Sequence, residues 1–346
     1  MKKPTVIDLF SGCGGLSYGL EQSGFQIIAG IDNWSDALYT FQKNHKDSQI
    51  LLADLGEISS ADICKKLGIN PNEIDVIVGG PPCQGFSISG KRNPEDPRNK
   101  LYQNFVDIVG YLKPKAFIME NVPNLVSMLD GKIKDTIIED FEKKGYTVTW
   151  KILDASEFGV PQKRRRVIFV GMRNGKQFLF PKGDLNNVVT TKDAISDLPK
   201  NSLAEGSPYP SFANSEFQKY MRQKSKGIFN HVITIHTEQT KNIINMVPDG
   251  KNYKSLPAHL HSTRKVNIAW TRLNSKKPSY TMDTGHNHIF HYKYNRVPTT
   301  RETARIQSFP DSFIFLGGKT SQLKQVGNAV PPLLASEIGK QLLIYL

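Results

Sequence analysis

The feature that most constrains this chain is a repeated way of ending strands. Short apolar runs at residues 5–10, 26–31, 50–53, 75–78 and 116–119 each stop at a polar or reactive residue or at glycine. The first runs into a Gly-rich turn, the second into Asp32, the third into Asp54. The fourth meets Gly79-Gly80-Pro81-Pro82-Cys83, and the fifth meets Glu120-Asn121. Helix-length segments, such as residues 16–23, lie between the runs, and further strands are predicted at 147–153 and 167–170. Strands alternating with helices predict an α/β fold around a parallel, doubly wound sheet. Such sheets bind ligands outside the carboxyl ends of their strands. A purely structural sheet has no reason to put Asp32, Asp54, Cys83 and Glu120 all at that edge.

The texture changes from about residue 172 to residue 295. Polar residues, Pro and Gly dominate there, with basic side chains such as Lys219, Arg222, Arg264, Arg272 and Lys276 and interleaved aromatics such as Tyr220, Trp270 and Tyr280. Regularity returns near Thr299 and closes with an apolar helix over 332–344. The predicted organisation is a first domain over 1–185, a smaller loop-rich domain over 186–295, and a segment over 296–346 that returns to complete the first. Lys and Arg outnumber Asp and Glu by 45 − 32 = 13, and the pI is about 9.4. That excess favours polyanions, nucleic acid first. No run approaches the ~20 apolar residues of a membrane span, and the first residues lack the apolar stretch of a secretory signal. A cytoplasmic location is expected.

The turn Asp8-Leu9-Phe10-Ser11-Gly12-Cys13-Gly14-Gly15-Leu16 suits close approach of backbone to a ligand at a helix N-terminus. It is not the dinucleotide fingerprint, because Ser17 stands where the third Gly belongs. Asp32 follows ~20 residues later, where a carboxylate can accept ribose hydroxyls, and Asp54 can reach an adenine amino group. The Lys-Ser/Thr ending of a phosphate loop is missing. A nucleoside without phosphates fits, and S-adenosylmethionine is one.

Cys13, Cys64 and Cys83 are too scattered for a disulfide framework or structural zinc. Cys83 is framed by prolines that stiffen its approach and glycines that admit close neighbours. Its segment, Gly80-Pro81-Pro82-Cys83-Gln84-Gly85-Phe86-Ser87, is one of six in order. The others are the glycine turn, Glu120-Asn121-Val122, Gln162-Lys163-Arg164-Arg165-Arg166, residues 301–311 from Arg301-Glu302-Thr303 to Phe309-Pro310-Asp311, and Gln325-Val326-Gly327-Asn328-Ala329-Val330-Pro331. Across nearly its whole length the chain resembles the cytosine-5 DNA methyltransferases, in size those of bacterial restriction-modification systems.

The resemblance implies a Rossmann-like S-adenosylmethionine-dependent methyltransferase sheet, with residues 186–295 as a target-recognition domain. It implies that Cys83 attacks carbon 6 of a flipped-out cytosine in double-stranded DNA. Glu120 would hold N3 and the exocyclic amine, Arg166 the carbonyl oxygen, and Arg164 would belong to the same catalytic group. Phe10 would stack on adenine and Asp32 would bind the ribose. Gly12, Gly14 and Leu16 would line the methionine portion, and Asn328 would close the site. Asp8, Gly15, Asp54 and Pro81 complete the expected cofactor set. The segment from Phe86 to about Arg98 is expected to be a lid. A monomer is expected, with a possible cognate endonuclease acting on the same DNA site.

Asn242, Arg264 and Arg272 are candidates for reading bases. His286, His288 and His291 have metal-like spacing but no suitable partners, and surface exposure or DNA contact is expected instead. Cys13 reads as a small turn residue and Cys64 as core. Two other functions bear comparison. A tRNA cytosine methyltransferase would carry a Cys-Phe-Thr segment, which is absent. A catalytically silent DNA-binding regulator should have lost Cys83, Glu120 or Arg166, and all three are present.

Overall fold

The structure is a computed structural model. It describes residues 2–82, 97–186, 188–261, 270–284 and 288–346, with 97–100 as backbone only. Cys83, most of the expected lid, Arg264 and His286 lie outside the described residues, while Arg98 lies in a helix.

In chain order the elements are β1 (Thr5–Leu9), α1 (Gly15–Ser23), β2 (Gln26–Asp32), α2 (Ser35–Asn44), β3 (Gln49–Leu52), α3 (Ser60–Leu67), β4 (Val76–Gly79), α4 (Pro97–Leu112), β5 (Ala116–Asn121), α5 (Lys132–Lys143), β6 (Thr147–Asp154) and β7 (Arg165–Met172). There follow α6 (Thr191–Ile195), α7 (Glu216–Arg222), α8 (Glu238–Asn245), α9 (Ala258–His261), β8 (Thr271–Arg272), β9 (Ile289–Phe290), α10 (Thr300–Ile306), α11 (Lys319–Asn328) and α12 (Pro332–Leu343). The chain divides into two compact units. One holds residues 1–154, 165–182 and 332–346; the other holds 155–164 and 183–331.

The first unit is built on a seven-stranded sheet of order β3-β2-β1-β4-β5-β7-β6. The strands from β3 to β5 are parallel, and β1, β4 and most of β5 are buried along their length, as their unbroken apolar runs require. A large core cluster joins Ile63, Cys64 and Leu67 of α3, Phe105 and Val109 of α4, and Ile137 and Phe141 of α5 to Ile7, Ile77 and Phe117 of the sheet. Phe117 and Phe141 stack with centroids 3.9 Å apart. On α1, a Cβ at Gly19 would fall 2.3 Å from the Pro332 carbonyl oxygen, so α1 and α12 pack too closely for any side chain there. The last helix thus completes the first unit.

One strand departs from the expected parallel arrangement. β7 runs antiparallel to both β5 and β6. Only residues 155–164 separate β6 from β7, too few for the helical crossover that a parallel neighbour needs.

Gly79 ends β4 against β1. A Cβ there would lie 2.2 Å from the Leu9 carbonyl oxygen and 3.0 Å from the Phe105 ring. Gly79→Ala should therefore force the carboxyl ends of β1 and β4 apart and destabilise the protein by about 1–3 kcal/mol, the usual cost of overpacking. Urea unfolding measures this; an unchanged midpoint would show that the strands can part freely.

The second unit is organised by buried charge. Arg305 on α10 is fully buried and pairs with Asp197 at 2.5 Å and with Asp311 at 2.6 Å. Arg222 meets the other oxygen of Asp197, and the Tyr209 hydroxyl donates to Asp311 at 2.5 Å. Thr299 and Glu302 form a capping box at the start of α10. Glu302 also receives two 2.7 Å hydrogen bonds from Arg296. His291 sits 3.5 Å from Glu302 and is buried, which corrects the expectation of an exposed or DNA-facing side chain. Burial pushes its imidazole down to about 4, despite the Glu302 charge, so it is neutral at pH 7. Arg272 is likewise buried and donates to the backbone carbonyls of Val247, Ile244 and His291. It ties loops together and is not available to read bases. Cys64 is core, as expected.

Candidate active site

The turn after β1 takes a contorted path. Phe10, Gly12 and Gly14 have φ of 58°, 52° and 90°. Left-handed backbone is costly for a bulky residue, and such strain gathers at functional sites. At Gly14 a side chain is doubly excluded: its Cβ would lie 2.5 Å from the His45 ring and 2.7 Å from Phe41. His45 supports the turn from below. One ring nitrogen lies 3.3 Å from the Gly14 carbonyl oxygen and the other 3.0 Å from the Glu21 carboxylate. Above Gly12 the Cβ direction is open. Phe10 is half-buried, with its ring against the core cluster. Gly15 and Leu16 are buried at the start of α1, and Cys13 is buried in the turn.

Asp32 ends β2 with each oxygen accepting a backbone N–H, from Gly12 at 2.8 Å and from Trp34 at 2.9 Å. It therefore links the first turn to the second. Burial raises its carboxyl group above the ordinary range, against the pull of those N–H donors. Asp54, beyond β3, is exposed and caps its own turn through the Gly56 N–H at 2.7 Å. Asp8 is 2% exposed and accepts the Ser17 hydroxyl at 2.6 Å. Ser17, noticed in the sequence only as a missing glycine, thus has a partner nine residues back.

The antiparallel run of β7 creates the second feature. Glu120 is near the carboxyl end of β5, Arg166 near the start of β7, and the strands pair at Glu120 with Ile168 and Asn121 with Val167. Arg166 Nε lies 2.7 Å from Glu120 Oε1, with side-chain exposures of 14% and 12%. The Cβ direction of Gly80 points at the other Glu120 oxygen, 3.0 Å away. Asn121 Nδ2 donates to the Pro81 carbonyl at 2.9 Å, while its Oδ1 accepts the Val122 N–H at 2.9 Å. Asn121 thus fixes the backbone two residues before Cys83. Nothing local in the sequence gives Asn121 a role; the signal is its burial next to the Pro-Pro segment. Pro81 itself is buried.

Arg164 and Asn328 belong to the second unit. Arg164 is 1% exposed, and its guanidinium donates to the Gly327 carbonyl at 2.9 Å and the Met282 carbonyl at 3.4 Å. That is the environment of a brace rather than of a group facing substrate. Gln162 accepts the Met282 N–H at 3.0 Å and donates to Gln307, which donates to the Ala329 carbonyl at 2.6 Å. A Cβ on Gly327 would strike the Asp283 backbone at 2.8 Å. Three of the ordered sequence segments are thereby knitted together around the turn that carries Asn328, whose side chain is exposed. Among the described residues no group of His, Cys, Asp and Glu is arranged to hold a metal.

A glycine turn and carboxylates at the strand ends of a doubly wound sheet lie where open α/β folds place their ligand sites. The chain belongs to the C-5 cytosine-specific DNA methylase family, whose model matches residues 4–343, and it is a DNA cytosine-5 methyltransferase. It is 38% identical over 342 residues to the Type II methyltransferase M1.HphI of Haemophilus parahaemolyticus, covering 98% of this chain and 86% of that protein. It is 37% identical over 374 residues to the Type II methyltransferase M.DdeI of Desulfomicrobium norvegicum, covering 98% and 88%. Among solved structures, a proposed DNA modification methyltransferase encoded within a prophage (E. coli) superposes with a TM-score of 0.80 at 27% identity over 99% of each chain. The Dnmt2 methyltransferase of S. pombe, at 16% identity and a TM-score of 0.61 over 99% of each chain, shares the fold.

Proposed function

We propose that the protein methylates carbon 5 of a cytosine flipped out of a specific double-stranded DNA sequence, as the modification enzyme of a Type II restriction-modification system. The observation that carries this reading is the Glu120–Arg166 pair, 2.7 Å apart and nearly buried beside the Gly80-Pro81 turn. S-adenosylmethionine, when bound, supplies an electrophilic methyl group. The turn fits it: open space above Gly12, backbone at a helix N-terminus, and a buried carboxylate at Asp8 beside a half-buried one at Asp32, which suit a ligand of net positive charge. Phe10, Gly12, Gly14, Gly15, Leu16, Asp32 and Asp54 would hold it, with Pro81 at its edge; Asn328 is assigned to the cofactor by the family resemblance alone.

Carbon 5 of cytosine is a weak nucleophile. Addition of the Cys83 thiolate to carbon 6 pushes electron density onto carbon 5. Glu120 holds N3 and the exocyclic amine, and Arg166 holds the carbonyl oxygen, where negative charge grows during addition. Loss of the carbon 5 proton then expels the thiolate and restores the aromatic ring. Reaching the base requires flipping, at a few kcal/mol of lost stacking and pairing. We assign residues 1–185 the catalytic and cofactor role, 186–295 target recognition, and 296–346 the return to the catalytic domain. This division is by role, whereas the compact units are set by packing. Arg164 acts in this scheme as a brace for the Asn328 turn. The enzyme works as a monomer in the cytoplasm, alongside a cognate endonuclease that cuts the same site. Among the described residues no helix is long and apolar enough to cross a membrane.

The test is conversion sequencing of a random-sequence plasmid library after incubation with protein and S-adenosylmethionine, with Cys83→Ala in parallel. Protection of cytosines within one short motif is expected, with at least a thousandfold loss in the variant. No protection by the native chain, with cofactor binding intact, would leave a tRNA enzyme or a silent DNA-binding protein.

A further inference from the structure

The glycine turn after β1 is tied down from two sides. Phe10, Gly12 and Gly14 all lie in the left-handed region. The glycines are free to leave it and Phe10 is strained in it, so the path needs ties from outside. On one side Asp32 accepts the Gly12 N–H at 2.8 Å. On the other stands His45, 1% exposed at the end of α2. Its Nε2 lies 3.3 Å from the Gly14 carbonyl oxygen, and a carbonyl only accepts, so the imidazole donates there. The same oxygen accepts the Tyr18 N–H at 2.8 Å, within the first turn of α1. His45 Nδ1 faces the Glu21 carboxylate at 3.0 Å, about two turns further along α1. One ring thus grips both the residue that caps α1 and a side chain near its far end. Packing holds that ring in place. Phe41 lies against it with centroids 4.4 Å apart. Phe41 in turn fills the space beside two glycines: a Cβ would fall 2.7 Å from its ring at Gly14 and 2.6 Å from it at Gly30 of β2.

We infer that His45 is a positioning residue for the cofactor: through the Gly14 carbonyl it keeps the left-handed turn in place before the ligand arrives, so that its loss weakens cofactor binding and leaves the chemical step intact. This rests on the reading of the turn as an S-adenosylmethionine site. The physical ground is preorganisation. A turn free to relax must be ordered again when the ligand binds, and that cost is subtracted from the affinity. The placement of His45 also says which step it serves. Its ring meets backbone and α1 on the Gly14 side, whereas the Cβ direction of Gly12 is open. It acts on the ligand through the turn, and so serves S-adenosylmethionine and its demethylated product, S-adenosylhomocysteine, alike. The Glu120–Arg166 pair stands on β5 and β7, outside these ties.

The experiment is calorimetric titration of the full chain with S-adenosylmethionine and with S-adenosylhomocysteine, beside single-turnover methylation of DNA at saturating cofactor. His45→Phe keeps a ring against Phe41 but donates nothing. It should weaken both ligands by roughly tenfold, the order expected when one buried hydrogen bond no longer holds the turn. Its rate at saturating cofactor should stay within about twofold of native, the signature of lost binding rather than lost catalysis. His45→Gln puts an amide N–H near the place of the imidazole Nε2 and should recover most of the affinity, which a role in packing alone would not allow. Glu21→Ala removes the ring's anchor at a partly exposed position and should cost about two- to threefold in affinity for both ligands, with the rate unchanged. It carries the test should His45→Phe fail to fold. Native affinity in the variant that carries the test, a fall in rate in place of affinity, or a His45→Gln variant no better than His45→Phe would each overturn the assignment. Failure of the native protein to bind either ligand would instead overturn the cofactor reading beneath it.

Discussion

Arg166→Ala is expected to lower kcat by roughly 10²–10³, the size of effect seen when one preorganised donor is removed from developing charge. Affinity for S-adenosylmethionine should change little. The split follows from where the side chain sits. Arg166 meets Glu120 at 2.7 Å in a nearly buried pair, and among the described residues its hydrogen bonds are to Glu120 and the Arg165 carbonyl. None goes to the glycine turn. Its loss also frees Glu120 to rotate, so Arg166→Ala and Glu120→Gln should be strongly non-additive in a double-mutant cycle. Arg166→Lys should recover only part of the rate, because an ammonium cannot reproduce the planar fork that serves a carboxylate and a carbonyl oxygen at once. Single-turnover methylation with saturating cofactor measures the effect. A loss confined to KM for DNA would place Arg166 in binding rather than in the chemical step.

Arg305→Ala should act on stability. Arg305 is wholly buried between two carboxylates that have no exposure of their own, Asp197 and Asp311. Removing it leaves Asp197 to Arg222, and Asp311 to Tyr209 and a long 3.8 Å contact with Arg301. Breaking a buried ion pair by deleting one partner costs about 3–5 kcal/mol, because the other charge remains buried. The second unit should soften first, since α10 also anchors to the Ala194 carbonyl through this same guanidinium. Hydrogen exchange should therefore show lost protection over α6 and α10 with β1, β4 and β5 unchanged. A variant that melts like the native protein would mean that the carboxylates are neutralised some other way.

The sheet was legible because buried parallel strands must be apolar throughout, so each polar residue that ends a run announces a strand's carboxyl end. Residues 26–31, 50–53 and 116–119 lie in β2, β3 and β5 in all but the last residue of the second run. The direction of β7 was not legible, since an apolar run carries no sign. That direction is what places Arg166 beside Glu120. Nor could the sequence separate Arg164 from Arg166. A spacing of two suggests one face of a strand, but β7 begins at Arg165, so Arg164 lies before the pleat and turns into the second unit. Charge misled in the same manner. Arg272 and His291 look like surface groups, yet backbone carbonyls and Glu302 draw them inside, and such long-range partners leave no local pattern. The Asp8–Ser17 contact could have been found, because a residue at the end of a strand and one in the first turn of the next helix are neighbours in any βα unit.

Covalent catalysis by Cys83 is the step on which the proposed reaction depends. It is tested most directly by incubating the protein and S-adenosylmethionine with DNA carrying 5-fluorocytosine at the methylated position. Fluorine cannot leave as a cation, so an enzyme that adds a thiolate to carbon 6 is trapped after methyl transfer. A denaturation-stable protein–DNA adduct is expected, with a peptide mass that maps to Cys83 and not to the buried Cys13 or Cys64. Methyl transfer to ordinary cytosine with no adduct on the fluorinated base, or an adduct at another residue, would contradict it.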